Sequence, residues 1–349
     1  MHRRYKSDLK DRDSNNHMSQ LEFIMYAGFM LSAYSVIGND VIQTLGTFLS
    51  SNEGKKWWKL WLFAGSILTI VLVYGWWVND GDVTYGRLIG DPSTHDFNNP
   101  IYAEPINIDD FGWPYLLPPI ILVIITRLGI PVSTSFLILT FFNRKYLDEM
   151  VIKSMSGYLV AFGTAIVVYM LISKKLEKQF INNPASKKQL KFWTVAQWAS
   201  TGFLWSQWLI QDFANIYVYL PRQVSPGNLI FSLVVFLILL AYIFYSKGGA
   251  IQGIVKAKTN TVDIRSATII DFSYAVILFF FKELNNVPMS TTWVFLGLLA
   301  GREISIRYFG FGKVPKETMK DLGKDLGKVF FGLGVSIGLV YLVKFLTSV

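Results

Sequence analysis

Residues 130–135 read Ile-Pro-Val-Ser-Thr-Ser, and residues 287–292 in the other half of the chain read Val-Pro-Met-Ser-Thr-Thr. Both follow one pattern: an apolar residue, proline, an apolar residue, serine, threonine, and then serine or threonine. Proline suits the first turn of a helix, where its missing N–H leaves no hydrogen bond unmade. Each of these two Ser-Thr segments is therefore predicted to begin a helix. Their recurrence predicts that the chain is built from two related halves.

The start of such a helix is suited to bind an oxyanion. Its first backbone N–H groups have no intrahelical partner, and the helix dipole places partial positive charge there. The hydroxyls add donors, so two facing helix starts would hold a tetrahedral anion. The competing interpretation is that Ser133 and Ser290 only cap their helices. The predicted anion-binding residues are Ser133, Thr134, Ser135, Ser290, Thr291 and Thr292.

A second pair of motifs places an aspartate close to side-chain amides within apolar surroundings. These Asp motifs are residues 38–44, Gly-Asn-Asp-Val-Ile-Gln-Thr, and residues 211–215, Gln-Asp-Phe-Ala-Asn. A carboxylate inside a membrane costs about 3 kcal/mol or more, so it usually marks an ion pathway. Carboxylate and amide oxygens suit a hard cation such as Na⁺, although a bound proton or a purely structural hydrogen bond also fits the pattern. The predicted cation-binding residues are Asn39, Asp40, Gln43, Thr44, Gln211, Asp212 and Asn215, with Asp40 and Asp212 as the Na⁺ ligands.

Composition identifies the chain as an integral membrane protein. Of its 349 residues 52% are hydrophobic and 16% are charged, whereas an average soluble domain is about 25% charged. Apolar runs long enough to cross a hydrocarbon core of about 30 Å recur along its length. We predict an all-α, polytopic transmembrane bundle of about ten membrane elements: residues 21–51, 57–77, 113–129, 131–149, 151–173, 193–220, 227–246, 263–281, 288–308 and 326–346.

The connections between these elements predict the domain organisation. A polar extramembrane tail (1–20) precedes a first membrane repeat (21–173), which includes an outside loop (78–112). A basic linker on the inside (174–192) leads to a second membrane repeat (193–349). Lysine-rich connections alternate with acidic or neutral ones, which by the positive-inside rule places both termini outside.

An odd number of elements in each half makes the two halves enter the membrane in opposite senses. Transporters built from such inverted-topology repeats place their binding site between the halves, among discontinuous helices. Gly38 and Gly46 flank Asp40 and predict a break in that helix, which would let backbone carbonyls join the coordination.

Together the two kinds of motif predict coupled transport. Carboxylates repel an anion until a cation or proton neutralises them, so the two ions should bind together, which is the physical basis of symport. We expect a secondary transporter of the cell membrane that moves inorganic phosphate with Na⁺ or H⁺ and needs no cofactor. A permease for sulfate or another oxyanion, and an anion-binding receptor without transport, are the alternatives.

Other classes of function find less support in the residues. The predicted spans contain no nucleophile–base pair or metal constellation, which argues against a membrane enzyme. Cysteine is absent, and the three histidines lie in polar segments. The net charge of +9 is explained by lysines on inside loops, without nucleic acid as a partner.

The pairing of Gly-Asn-Asp-Val with Pro-Val-Ser-Thr, repeated in related form in the second half, resembles the inorganic phosphate transporter (PiT) family. The resemblance implies Na⁺- or H⁺-coupled phosphate uptake, inverted repeats, outside termini and a homodimer. It implies cation roles for Asn39, Asp40, Asp212 and Asn215. It implies anion roles for Ser133, Thr134, Ser290, Thr291 and Thr292. The chain has Gln43 and Gln211 where the family has Asn, and Phe136 and Trp293 where it has His.

Overall fold

The structure is a computed structural model, and it describes residues 2–88, 112–127, 132–142, 147–170, 186–247, 264–284, 287–311 and 314–347. Within these ranges every regular element is a helix. Most of the predicted outside loop (89–111), most of the predicted basic linker (174–185) and Pro131 lie outside the described residues.

The described part of the first half begins with two long helices, α1 (His2–Ser51) and α2 (Trp57–Val78). A 3-10 turn (Trp113–Leu116) leads into α3 (Leu117–Arg127), and α4 (Thr134–Phe142) and α5 (Leu147–Val168) follow. Within the described residues α3 has 11 residues and α4 has 9. Helix α4 begins at Thr134, so the first Ser-Thr segment begins a helix as predicted.

The second half carries longer helices over the described residues. They are α6 (Lys187–Asp212), the one-turn α7 (Ala214–Tyr217), α8 (Pro226–Tyr245), α9 (Ile264–Leu284), α10 (Thr291–Phe311) and α11 (Lys316–Thr347). The start of α8 shows the expected local chemistry. The Ser225 side chain accepts from Asn228 N, and Pro226 occupies the first helical turn, where its missing N–H costs nothing.

Every predicted membrane element contains a helix. The predicted element 131–149 contains α4 and the start of α5, and residues 143–146 between them lie outside the described residues. Five segments of the described residues are long and apolar enough to span a membrane: Gln20–Val41, Trp57–Val78, Leu147–Val168, Pro226–Tyr245 and Ile264–Leu284.

Helix α1 lies between the two halves and contacts α3, α6, α7, α8, α9 and α10. Tryptophan side chains join the halves further, since Trp61 Nε1 donates to the Leu237 carbonyl and Trp205 Nε1 to the Ala64 carbonyl, each at 3.0 Å. Polar groups in a bilayer have no water to bond, so such internal pairs hold helices together. The polar residues of α1 from Ser32 to Ser50 are correspondingly buried in the bundle.

Helices α5 and α10 pack with their backbones in contact. A Cβ added at Gly297 would lie 2.3 Å from the Tyr158 carbonyl oxygen, and one at Gly301 would lie 2.3 Å from that of Phe162. The two glycines are one helical turn apart, so the backbones touch along one face, as small residues allow in membrane helices. This contact fixes α10, and with it the second Ser-Thr segment, against α5.

Candidate functional site

Four polar side chains from both halves form one hydrogen-bonded chain in the centre of the bundle. Thr134 Oγ1 donates to Asp40 Oδ2 (2.8 Å). Asn215 Nδ2 donates to Thr134 Oγ1 (3.0 Å) and to Asp212 Oδ1 (2.7 Å). Asn39 Nδ2 donates to the remaining oxygen of the first acid, Asp40 Oδ1 (2.6 Å). The two Asp motifs are thus joined through a threonine of the first Ser-Thr segment.

The two Ser-Thr segments also meet. Ser135 Oγ donates to the Met289 carbonyl (3.2 Å), and Thr292 Oγ1 donates to the Val132 carbonyl (3.3 Å). Ser135 Oγ also lies 3.5 Å from Asp212 Oδ1. The structure therefore brings the starts of α4 and α10 together beside the aspartates.

Both serines cap their helices. Ser133 Oγ accepts from Phe136 N (3.2 Å), and Ser290 Oγ accepts from Trp293 N (3.3 Å). The capping interpretation is therefore correct for these oxygens as acceptors, while each hydroxyl keeps its own hydrogen for donation.

Helix α5 holds the second Ser-Thr segment in place. Lys153 Nζ donates to the Val287 carbonyl (2.8 Å), and Ser154 Oγ accepts from Ser290 N (2.8 Å). One of the backbone N–H groups expected to face an anion is therefore already paired. Sequence reasoning missed both α5 residues, although a lysine within an apolar span is itself a sign of function.

The site is buried and contains unpaired acceptors. Asp40 and Asp212 are 1% exposed and Asn215 is 0% exposed. Asp212 Oδ2 and Asn215 Oδ1 make no hydrogen bond of ordinary geometry among the described residues, although the Thr291 hydroxyl lies close to the Asp212 carboxyl. Buried polar groups are almost always paired. The Asp40 and Asp212 carboxyls also lie close enough for their charges to repel. Both features favour a cation bound between the two aspartates. Such a cation would take the unpaired oxygens as ligands and would offset the repulsion between the carboxylates.

A buried arginine reaches this place from the segment that follows α2, the predicted outside loop. Arg87 is 2% exposed, and its Nε donates to Gln211 Oε1 (3.2 Å). Its charge attracts that of Asp212. Sequence reasoning missed Arg87, although it is the one basic residue of a loop (78–112) that carries seven acids.

Three predicted cation ligands lie at the edge of the site. Thr44 Oγ1 donates back to the Asp40 carbonyl (3.0 Å), and Gln211 Nε2 donates to the Leu278 carbonyl (3.3 Å). Gln43 is buried one turn beyond Asn39, and no hydrogen bond joins it to the aspartates within the described residues. Among the described residues, none of these three side chains hydrogen-bonds a carboxyl oxygen of Asp40 or Asp212.

The predicted helix break around Asp40 is wrong. α1 continues through Gly38 and Gly46, because a helical glycine costs only about 1 kcal/mol, which packing readily offsets. The hydrogen-bonded helix is interrupted instead beside the other acid, since α6 ends at Asp212 and α7 begins at Ala214. The backbone carbonyls around Asp40 therefore stay within the helix, and the available oxygen ligands there are side-chain oxygens. Asp212, in contrast, lies at a helix end.

The interruption beside Asp212 is a single residue, Phe213. Phe213 keeps helical dihedral angles (φ −57°, ψ −32°), and Tyr217 N still donates to its carbonyl. The Asn215 carbonyl accepts a hydrogen bond from Ser32 Oγ of α1 (2.7 Å). This tie between α1 and α7 sets the distance between the two Asp motifs.

No family model matches the chain, and no curated protein matches its sequence. A solved structure described as "The sodium-dependent phosphate transporter" superposes with a TM-score of 0.61 and 17% sequence identity. The match covers 94% of this chain and 99% of the other. At that identity the likeness shows the fold. The chain is an integral, multi-pass membrane protein with the fold of that transporter, which confirms the fold implied by the resemblance to the phosphate transporter family.

Proposed function

We propose that the chain carries inorganic phosphate across the membrane together with Na⁺. One observation carries the proposal: a buried hydrogen-bonded chain of Asp40, Thr134, Asn215 and Asp212 joins the Asp motifs of both halves to the first Ser-Thr segment. The shared fold with a sodium-dependent phosphate transporter supports the same substrate.

The cation site is proposed between Asp40 and Asp212. The unpaired Asp212 Oδ2 and Asn215 Oδ1 lie three residues apart on one helical turn, and both are hard oxygen ligands. Their chemistry favours Na⁺ over H⁺, because a proton held by a carboxyl group does not satisfy an amide oxygen. Na⁺ would also relieve the repulsion between the two carboxylates.

The anion site is proposed at the facing starts of α4 and α10. There the hydroxyls of Thr134 and Ser135 lie against carboxylate oxygens of the Asp motifs. Once Na⁺ draws the carboxylates away, those hydroxyls can donate to an anion instead. A site with both donors and acceptors suits phosphate, which keeps an O–H at neutral pH, better than sulfate, which has none.

The resemblance extends the proposal to the assembly. We propose that residues 21–173 and 193–349 are the inverted repeats, with the termini outside and two copies forming a homodimer. The contacts between the Ser-Thr segments of the two halves support the pairing of the repeats. Inward movement of net positive charge would be driven by about 2.3 kcal/mol per charge per 100 mV of membrane potential.

The direct test is uptake of radiolabelled phosphate or sulfate into proteoliposomes, with Na⁺ and pH gradients imposed separately. We expect saturable phosphate uptake that requires the Na⁺ gradient. Uptake driven only by the pH gradient would assign the proton as the coupling ion. Saturable binding of phosphate without uptake of either anion would show that the protein is an anion-binding receptor and not a transporter.

Thr134→Val is expected to weaken the binding of both phosphate and Na⁺. The change removes the hydroxyl that links the two Asp motifs but keeps the shape of the side chain. Losing a hydrogen bond to a charged group costs about 1.5–3 kcal/mol, so the KM values for phosphate and for Na⁺ should each rise about tenfold or more. Initial rates over a matrix of the two concentrations give both constants.

The matched control is Thr134→Ser, which retains the hydroxyl and should keep both constants close to those of the unmodified protein. Unaltered constants in Thr134→Val would show that the chain between Asp40 and Asp212 has no part in binding.

A further inference from the structure

The predicted outside loop begins with a compact turn that fixes the direction of one side chain. Asp82 Oδ1 accepts from Thr84 N (2.7 Å) and Thr84 Oγ1 (2.6 Å), and Asp82 Oδ2 accepts from Gly86 N (2.7 Å). Tyr85 and Gly86 both have positive φ, at 56° and 77°. A non-glycine residue in that region is uncommon and needs surrounding structure to hold it there.

Two further contacts fasten this turn to the bundle. Tyr85 Oη donates to the Val71 carbonyl of α2 (2.6 Å), and Val224 N donates to the Gly81 carbonyl (2.9 Å). Burial raises the pKa of the Tyr85 hydroxyl to about 12, so it stays protonated and keeps donating. The turn is therefore fixed on both sides, and it directs the next residue, Arg87, inward.

Arg87 is almost completely buried and only partly paired. Nε donates to Gln211 Oε1 (3.2 Å) and Nη1 to the Tyr85 carbonyl (3.5 Å), while Nη2 has no acceptor among the described residues. A buried, permanently charged donor without a partner is strongly unfavourable. Gln211 is the neighbour of Asp212 in the chain, and the charges of Arg87 and Asp212 attract each other.

The charges around Arg87 are mixed. Asp212, Asp82 and Glu283 attract its guanidinium, and Lys153 repels it. The Asp82 carboxylate already accepts three hydrogen bonds within the turn. Glu283 is exposed and paired with Lys282. Asp212 is the buried acid left to compete for Arg87.

We propose that Arg87 couples the two ions, because its guanidinium is shared between Asp212 and the transported anion. When Na⁺ neutralises Asp212, the attraction between Asp212 and Arg87 falls, and the guanidinium becomes the anion's cationic partner. A guanidinium suits this role, since its fork of N–H donors matches the oxygens of a phosphate. The inference rests on the proposed function and adds to it the residue that transmits Na⁺ binding to the anion.

The proposal predicts opposite shifts in the two affinities. In Arg87→Gln the anion loses its cationic contact, so the KM for phosphate should rise about tenfold or more. Asp212 loses its competing internal cation, so Na⁺ should bind more tightly in the absence of phosphate. Because coupling is reciprocal, the Na⁺ dependence of the phosphate KM should also become weaker. If Arg87 had a merely structural role, its substitution would weaken the binding of both ions.

The experiment compares unmodified protein, Arg87→Gln, Arg87→Lys and the control Arg127→Gln. Arg127 is an exposed arginine whose Nη2 donates to Tyr34 Oη (3.1 Å), so its loss should change neither affinity. Sodium affinity is measured without phosphate, from the Na⁺-dependent rise in the melting temperature of detergent-solubilised protein. Phosphate KM is measured by proteoliposome uptake at several Na⁺ concentrations.

Opposite shifts in Arg87→Gln would support the proposal. Parallel weakening of both ions, or no change in either, would overturn it. If Arg87→Gln does not fold, Arg87→Lys decides the matter: it keeps the charge without the fork, so it should raise the phosphate KM and leave Na⁺ affinity near that of unmodified protein. Unmodified protein that takes up no phosphate would instead overturn the proposed function itself.

Discussion

Asp212→Asn is expected to abolish Na⁺-driven phosphate uptake, with an initial rate at least about 100-fold below that of the unmodified protein. Changes that merely disturb the surroundings of a metal ligand already cost about 10–100-fold in affinity, and Asp212 is proposed as a direct ligand with a free oxygen. The substitution removes the charge that attracts the cation. Radiolabelled phosphate uptake into proteoliposomes measures the loss.

The same variant is expected to fold well, which separates loss of function from loss of structure. The new amide group can donate to Asn215 Oδ1, an acceptor that has no partner among the described residues. The melting temperature without Na⁺ should therefore be equal to or above that of unmodified protein. The rise in melting temperature on adding Na⁺ should disappear.

Asp271→Asn is the matched control, because Asp271 is equally buried but has partners for both carboxyl oxygens. Thr47 donates to Oδ1, and Thr201 donates to Oδ2 at 2.6 Å. This variant should keep its response to Na⁺, whatever it costs in stability. An unchanged Na⁺ requirement in Asp212→Asn would remove Asp212 from the cation site.

The bundle itself could be predicted from the sequence because membrane helices are governed by local apolar length and by the charges of the connections. Every predicted element contains a helix in the structure. The meeting of the Asp motifs and the Ser-Thr segments could also be predicted, since recurrence of both motifs in both halves points to one shared place. The contacts between Thr134 and both Asp motifs agree with that expectation.

Features that depend on tertiary contacts could not be predicted in the same way. Glycine near Asp40 predicted a helix break, yet packing from both halves keeps α1 continuous. The inward direction of Arg87 depends on a turn with two positive φ angles and on ties to α2 and to Val224, and no local pattern encodes such ties. The available clues were a single base in an acidic loop and Lys153 within an apolar span.

Gly297→Ala is expected to destabilise the protein strongly, because the added methyl group would meet backbone at the contact between α5 and α10. The added Cβ would lie 2.3 Å from the Tyr158 carbonyl oxygen, and a backbone atom cannot move aside as a flexible side chain can. Overpacking of this kind costs about 1–3 kcal/mol, so the melting temperature in detergent should fall clearly.

Transport should fall with it, because separation of α5 from α10 moves the segment that Lys153 and Ser154 hold through Val287 and Ser290. Gly163→Ala is the matched control on α5, since nothing lies within 4 Å of the added Cβ there. That change should stabilise the helix by about 0.5–1 kcal/mol and leave uptake intact. Equal melting temperatures for the two variants would mean that α5 and α10 do not touch along their glycine face, and that the second Ser-Thr segment is held by something other than α5.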